Sequence, residues 1–327
     1  MNQSNVTPDT RLRSIDQFRG YTIAGMIVVN FLGNFPSIPE FFKHHDDWMS
    51  YADTIAPIFL FVAGMGFRLS VLRNVKQEGL GRALVTGVRR YALLTLIGIV
   101  YYSPLDWGGW WDALVDIGLS GLLAIPFIAL GTKARVAAAA GYMALYQLLY
   151  SYGGYGPWVM ANSYDGGPLG PLSWVFCLLL GTVAYDLIAT HDTRKIVIGC
   201  LAWGIGLSIV GWAFRAEWLG VKEFWPFSQT GMSAPYPIYA TGLAFLTFLP
   251  FYVLADVWRI EIPTLTAFGA NPLVLYILHG MYIDIHGTVV PSESGIPVAL
   301  LAFAGLYLMC YVVARYMYTH RMFVKIG

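Results

Sequence analysis

The sequence predicts an all-α, polytopic integral membrane protein: one bundle of about ten transmembrane helices with both termini in the cytoplasm. Composition is the first reason. The 327 residues are 57% hydrophobic and only 12% charged, about half the charged content of an average soluble domain. Hydropathy patterning is the second. Apolar runs of about 20 residues, the length a helix needs to cross a bilayer, recur near 19–36, 54–73, 89–104, 112–131, 135–152, 169–189, 195–214, 234–256, 264–284 and 297–318. They are continuous and lack the alternation of a β-barrel. Charge asymmetry is the third. With an even number of spans, 17 of the 20 Lys and Arg residues fall on the side of the termini, leaving Lys43, Arg215 and Lys222 on the other. The positive-inside rule makes the richer side cytoplasmic.

The breaks between runs support this division. Several are short and carry Gly, Pro or charge, as at Gly79–Arg82 and Gly153–Pro157. No boundary marks a second domain and no internal repeat stands out, so residues 1–327 read as one transmembrane domain. The polar stretch Met1–Thr10 lacks the basic and apolar regions of a cleaved signal peptide. Cys177, Cys200 and Cys310 all fall inside predicted spans, as buried thiols without disulfide or metal-ligand spacing. A net charge of +1 gives no electrostatic basis for a nucleic-acid partner. The outer loops are rich in aromatics, among them Trp48, Trp107, Trp110, Trp111, Tyr152, Trp158 and Trp225. They suit interfacial anchoring, and equally a mouth that grips a sugar.

Several polar residues need a reason for sitting beside apolar spans. His44, His45, Asp46, Asp47 and Trp48 share the first outer loop, and Asp53 opens the second span from the same side. His279 lies inside the ninth span, nearer its outer end, and an ionisable group there is a functional-site candidate. Histidine suits general-base work because its unperturbed pKa is about 6.5. Asn30 in the first span and Asn271 in the ninth can orient a histidine, bond a carbonyl, or join helices. Asp112 and Asp116 are four apart on one helix face, placed to bind an amino or hydroxyl group or to pair with neighbouring Arg or Tyr. On the inner side, Arg68, Arg73, Arg82, Arg89 and Arg90 cluster around one short loop, with Asp16 and Arg19 at the inner mouth of the first span. That cluster either satisfies the positive-inside rule or recognises a phosphorylated ligand. No Gly-rich phosphate loop, zinc-ligand spacing or nucleophilic serine elbow is present.

The run Asp16-Gln17-Phe18-Arg19-Gly20, the segment Met26–Asn30, Phe42-Lys43-His44 with Trp48, and Ala52-Asp53 leading into Pro57–Gly64 form an ordered set of motifs. Ser233–Gly242, Phe245–Asp256, and Gly269-Ala270-Asn271-Pro272 through Leu275–His279 follow near the other end. Together these resemble the transmembrane acyltransferases, most closely the family typified by heparan-alpha-glucosaminide N-acetyltransferase and its bacterial relatives. The similarity covers both ends of the chain and thins in the middle. It implies that acetyl-CoA binds from the cytoplasm and that its acetyl group reaches an amino sugar across the membrane, with no metal. A loop histidine would be the base or transient acetyl carrier. Phe-Lys-His points to His44 and a His-x-x-Trp spacing to His45. Asn30, Asp53, Asn271 and His279 would shape the site, Trp48, Asp112 and Asp116 would contact the acceptor, and Arg19, Arg68, Arg89 and Arg90 would hold the nucleotide of acetyl-CoA.

The resemblance further implies a bacterial inner-membrane location and is compatible with a homodimer. Two departures concern the acceptor more than the reaction. A large N-terminal lumenal segment is not seen, and the run Asp116-Ile117-Gly118-Leu119 is shared with uncharacterised relatives. An O-acyltransferase of envelope glycans and a transporter or flippase of a small sugar-like solute are the alternative readings.

Overall fold

A computed structural model describes residues 12–102, 111–215, 220 and 225–324. Arg11, Trp107, Trp110, Lys222 and Lys325, and the polar stretch at 1–10, lie outside the described residues. The regular structure among the described residues is helical, without strands. Helices α1 (Arg13–Leu32), α2 (Tyr51–Glu78), α3 (Leu80–Tyr102), α4 (Ala113–Ile128), α5 (Thr132–Tyr152) and α6 (Tyr155–Asn162) make the first half. The rest is α7 (Pro171–Ile188), α8 (Thr193–Ala213), α9 (Pro235–Tyr252), α10 (Pro263–Ala270), α11 (Pro272–Gly287) and α12 (Ile296–Thr319).

The ten apolar runs fall mainly on helix, but among the described residues six helices are long and apolar enough to cross a bilayer: α2, α3, α7 with the turn before it, α8, α9 with the turn after it, and α12. The difference has physical causes. Helix α4 has 16 residues, a rise of about 24 Å against a hydrocarbon core of about 30 Å. The run 264–284, read as a single span, is two helices, α10 of 8 residues and α11 of 16. Pro272 lacks the N–H that would continue the ladder and pushes Asn271 out of the helical region, to φ −133° and ψ 59°. Hydropathy averages over such a break.

Helix α7 is apolar all round and buried along nearly its whole length, so it forms the axis of the bundle. It packs on α2, α4, α5 and α9, while α1 packs against α10 and α2. The α2–α7 contact is backbone to backbone. A Cβ on Gly64 would collide with the Leu178 carbonyl, and one on Gly181 with that of Phe61, so these glycines set the approach. Helices α3, α8 and α12 turn most of their apolar surface outward, as lipid-facing helices do.

Two networks brace the end of the bundle where α1 begins. Arg135, fully buried, and Arg68 both pair with Asp186. Arg68 also donates to the Ile128 carbonyl, and Arg135 to Thr182 and Thr132. Gln17 of α1 holds the start of α10 through the backbone of Ile262 and the Thr266 hydroxyl.

Candidate functional site

The first loop reaches its conformation through local hydrogen bonds that the sequence encodes. Ser50 caps α2: its Oγ accepts from the Asp53 N–H at 3.3 Å, and Asp53 Oδ2 accepts from the Ser50 N–H at 2.9 Å. This reciprocal capping box puts a carboxylate in the first turn, where the helix dipole favours it. Ser50 Oγ also donates to the Lys43 carbonyl at 2.6 Å, folding the loop back over the helix start. Arg215, over the rings of Trp212 and Phe227, donates to the Asp47 carbonyl from outside.

Asp53 is fully buried, yet each oxygen is used. Oδ1 takes the Nδ1–H of His44 at 2.9 Å and the His45 N–H at 3.3 Å. With Nδ1 committed, Nε2 of His44 is the nitrogen that exchanges a proton. Burial pulls the His44 pKa down, but the bond to Asp53 and its charge outweigh that, so the net direction is upward, with Asp165 and Gln229 adding to it. His45 is held differently. Its ring lies on Trp48 at a centroid distance of 4.2 Å, and its Nε2 bonds the Glu40 carbonyl at 3.0 Å.

A second pair lines the same cavity as His44, a space of about 920 Å³. His279 Nδ1 donates to the Tyr276 carbonyl one turn earlier. In the neutral tautomer Nε2 is then an acceptor, and it takes an N–H of Asn30 at 3.2 Å. That fixes the Asn30 amide with its NH₂ toward the histidine and its second N–H available. The hydroxyls of Tyr102 and Tyr276 meet beside them, and Tyr276 donates to Asp112 Oδ1 at 3.4 Å.

Asn30, His44, His45, Asp112 and His279 all line this cavity. Asp53 stands directly behind His44, and Asp116 is buried behind the lining. Trp48 reaches the site only through His45. Asn271 stands apart, two helical turns before His279, with its amide spent on the Met322 carbonyl and the Val324 N–H of the C-terminal segment. The four arginines stand outside the cavity too. Arg19 contacts Asp16 and the Gly269 carbonyl, Arg68 belongs to the Asp186 network, Arg90 lies over the Tyr91 ring, and Arg89 is exposed. Along α1, Arg19 and Asn30 are about 16 Å apart.

The family comparison bears on this arrangement. The model of the heparan-alpha-glucosaminide N-acetyltransferase catalytic family matches residues 11–211, well over half the chain. The chain belongs to that family. Two curated proteins, the heparan-alpha-glucosaminide N-acetyltransferases of Mus musculus and Homo sapiens, are 32% and 33% identical to it over 98 residues. Those alignments cover 29% of this chain and 14% of either relative.

The family match takes in α1 to α7 and most of α8, so Asn30, the histidine loop, Asp53, Asp112 and Asp116 fall within it, while His279 and Asn271 fall beyond its end. The cavity also has members that sequence reasoning did not single out. Gln229 bridges Asp165 Oδ1 at 2.9 Å and the Tyr236 hydroxyl at 3.1 Å, and Tyr236 in turn donates to the Asp53 carbonyl at 2.6 Å. Asp165, in the loop before α7, has left-handed backbone with φ 55°. Burial pushes its pKa up to about 6, with Asp112 adding to the shift. An Asp in a Gly-rich, aromatic stretch between apolar runs was the one signal in the sequence.

Proposed function

We propose that this protein is a membrane-embedded acyltransferase that moves an acetyl group from acetyl-CoA to the amino group of a glucosamine-type sugar, with His44 as general base. The carrying observation is the buried Asp53 holding His44 at a cavity that the Asn30–His279 pair also lines, in a chain of this family.

An amine attacks a thioester only through a free lone pair. His44 Nε2 takes the proton that the nitrogen sheds as the C–N bond forms, and Asp53 stabilises the imidazolium that results. The carbonyl electrons move onto oxygen, where the second N–H of Asn30 donates; one such donor is worth about 3 kcal/mol. Collapse breaks the C–S bond, the electron pair leaves with sulfur, and the proton held on His44 Nε2 makes the free thiol. The one proton released overall is the one the ammonium sheds to solvent before the amine attacks. The sum is ammonium plus acetyl-CoA giving amide, CoA and one proton. The basic inner end supports cytoplasmic entry of the donor, with Arg19, Arg89 and Arg90 on its nucleotide. Arg68 is better suited to bracing the fold, because Asp186 and Ile128 occupy its donors. The pairing of His44, and not His45, with Asp53 supports His44 as the base.

The test is transfer of labelled acetyl from acetyl-CoA to glucosamine by the purified, detergent-solubilised chain, beside His44→Ala and His45→Ala. Loss of about 100-fold or more in His44→Ala, with His45→Ala retaining most activity, is expected. Full activity in His44→Ala would overturn the assignment. Glucosamine uptake into vesicles without acetylation would turn the reading to transport.

A further inference from the structure

Pro57 lies inside α2, four residues after Asp53. A helical carbonyl accepts from the N–H four residues on, and proline has none, so α2 leaves the Asp53 carbonyl without its helical donor. Asp53 is fully buried, and a buried carbonyl needs a donor from elsewhere. It finds one on another helix. The Tyr236 hydroxyl, from the first turn of α9, donates to it at 2.6 Å. With that bond every polar atom of Asp53 is engaged. Its N–H goes to Ser50 Oγ, Oδ2 takes the Ser50 N–H, and Oδ1 takes His44 and the His45 N–H.

Tyr236 is itself firmly held. It is 1% exposed, with its ring edge-on to those of Trp174 and Phe227. The Trp174 indole N–H donates to the Asp165 carbonyl at 2.9 Å. Gln229 Nε2 donates to Asp165 Oδ1, and its Oε1 lies 3.1 Å from the Tyr236 hydroxyl. The single hydroxyl proton follows the shorter bond, to Asp53. From the same segment, Ser228 Oγ donates to Asp46 Oδ1 at 2.6 Å. The stretch 228–236 therefore grips the histidine loop at Asp46 and the start of α2 at Asp53, across 182 and 183 residues of sequence.

Filling a proline gap is in itself an ordinary structural bond. Here the carbonyl filled belongs to the residue whose carboxylate aims His44. We propose that Tyr236 is a positioning residue, acting through the gap at Pro57 to fix the Asp53 backbone and so the aim of His44 Nε2; its bearing on catalysis rests on the acetyl-transfer reading above. Without the hydroxyl, the first turns of α2 shift to bring the freed carbonyl another donor. The Asp53 carboxylate moves with them, and the 2.9 Å contact that orients the His44 ring lengthens. Near-attack geometry is sensitive to shifts of this kind.

The experiment compares wild type with Tyr236→Phe, which removes one oxygen and keeps the ring, in labelled acetyl transfer to glucosamine across pH 5 to 8. The expected fall in kcat is about 10- to 100-fold, with the KM for acetyl-CoA unchanged. Asp53 and Asp165 are the charged groups that act on His44, and both remain in the variant. A weakened Asp53 contact moves the acid limb of kcat/KM to lower pH, which mere loss of folded protein does not do. In a His44→Ala background the same change costs little more. The second arm is the unfolding midpoint with and without Pro57→Ala, which returns an N–H to the Asp53 carbonyl. Pro57→Ala is expected to be more favourable in Tyr236→Phe than in wild type. An unmoved acid limb, or the same fold-loss in the His44→Ala background, would overturn the positioning role. Equal effects of Pro57→Ala on the two midpoints would overturn the shared carbonyl. Absence of transfer by wild type would instead sink the acetyl-transfer reading, with the midpoints still deciding whether Tyr236 holds Asp53.

Discussion

Replacing Asp53 by Asn tests the site most sharply, because the change keeps shape and removes one charge. The carboxylate accepts from Ser50 N–H, His45 N–H and His44 Nδ1–H, and an amide has a single acceptor oxygen. Either the cap or the histidine contact is therefore lost, and an NH₂ confronts a donor. Losing a cap costs about 1 kcal/mol and a charge-assisted bond about 1.5–3 kcal/mol, so destabilisation of about 1–3 kcal/mol is expected. The catalytic effect is larger. The imidazolium loses its counter-charge and the ring its fixed tautomer, so kcat falls by the share of general-base catalysis, about 10²- to 10⁴-fold. The sign of the pH effect follows from the same bond. Asp53 holds the His44 pKa above where burial would put it, and a base works only when unprotonated. The acid limb of kcat/KM therefore moves to lower pH in the variant while its plateau drops. The assay is labelled acetyl transfer across pH 5 to 8, with the double variant alongside. If the residues act as one unit, Asp53→Asn in a His44→Ala background loses little further activity. An unmoved acid limb, or activity within about threefold of wild type, would refute the coupling between these two side chains.

Five further variants have definite expected outcomes. Asn30→Ala removes the donor to His279 and the N–H offered to the acetyl oxygen. It should cost about 100-fold in kcat with little change in the KM for acetyl-CoA, and a loss confined to KM would argue against oxyanion stabilisation. Gly64→Ala sets a methyl against the Leu178 carbonyl and should lower stability by about 1–3 kcal/mol or more. Gly141→Ala on α5 meets open space and should gain about 0.5–1 kcal/mol, as read from unfolding midpoints. Arg68→Ala unpairs Asp186 from one of its two arginines and should destabilise by about 3 kcal/mol. The exposed Arg89→Ala should leave the midpoint alone and raise the KM for acetyl-CoA, and an unchanged KM would remove Arg89 from the donor site.

What the sequence determined by itself is local or compositional. Apolar runs of bilayer length placed the helices, because burial in lipid leaves few other solutions for the backbone. The Ser50–Asp53 spacing wrote the capping box, and motif order placed the chain in its acyltransferase family. Asn30, Asp53 and His279 were legible as candidates because polar groups beside apolar spans need a reason. The tertiary structure decided the rest, since partners far apart in sequence meet only through helix packing. Asn30 and His279 are 249 residues apart, and the contact of α1 with α11 joins them. His44 and His45 are adjacent and alike in composition, yet the turn of the loop aims one at Asp53 and the other at Trp48 and Glu40. Asn271, equal to Asn30 on paper, is taken by the C-terminal segment, because Pro272 breaks the helix there and turns its amide inward. Asp165, Gln229 and Tyr236 left almost no trace in the sequence, since loop residues gain meaning only from the groups that packing sets against them. Helical periodicity determines which residues share a face; the crossing of helices determines what that face meets.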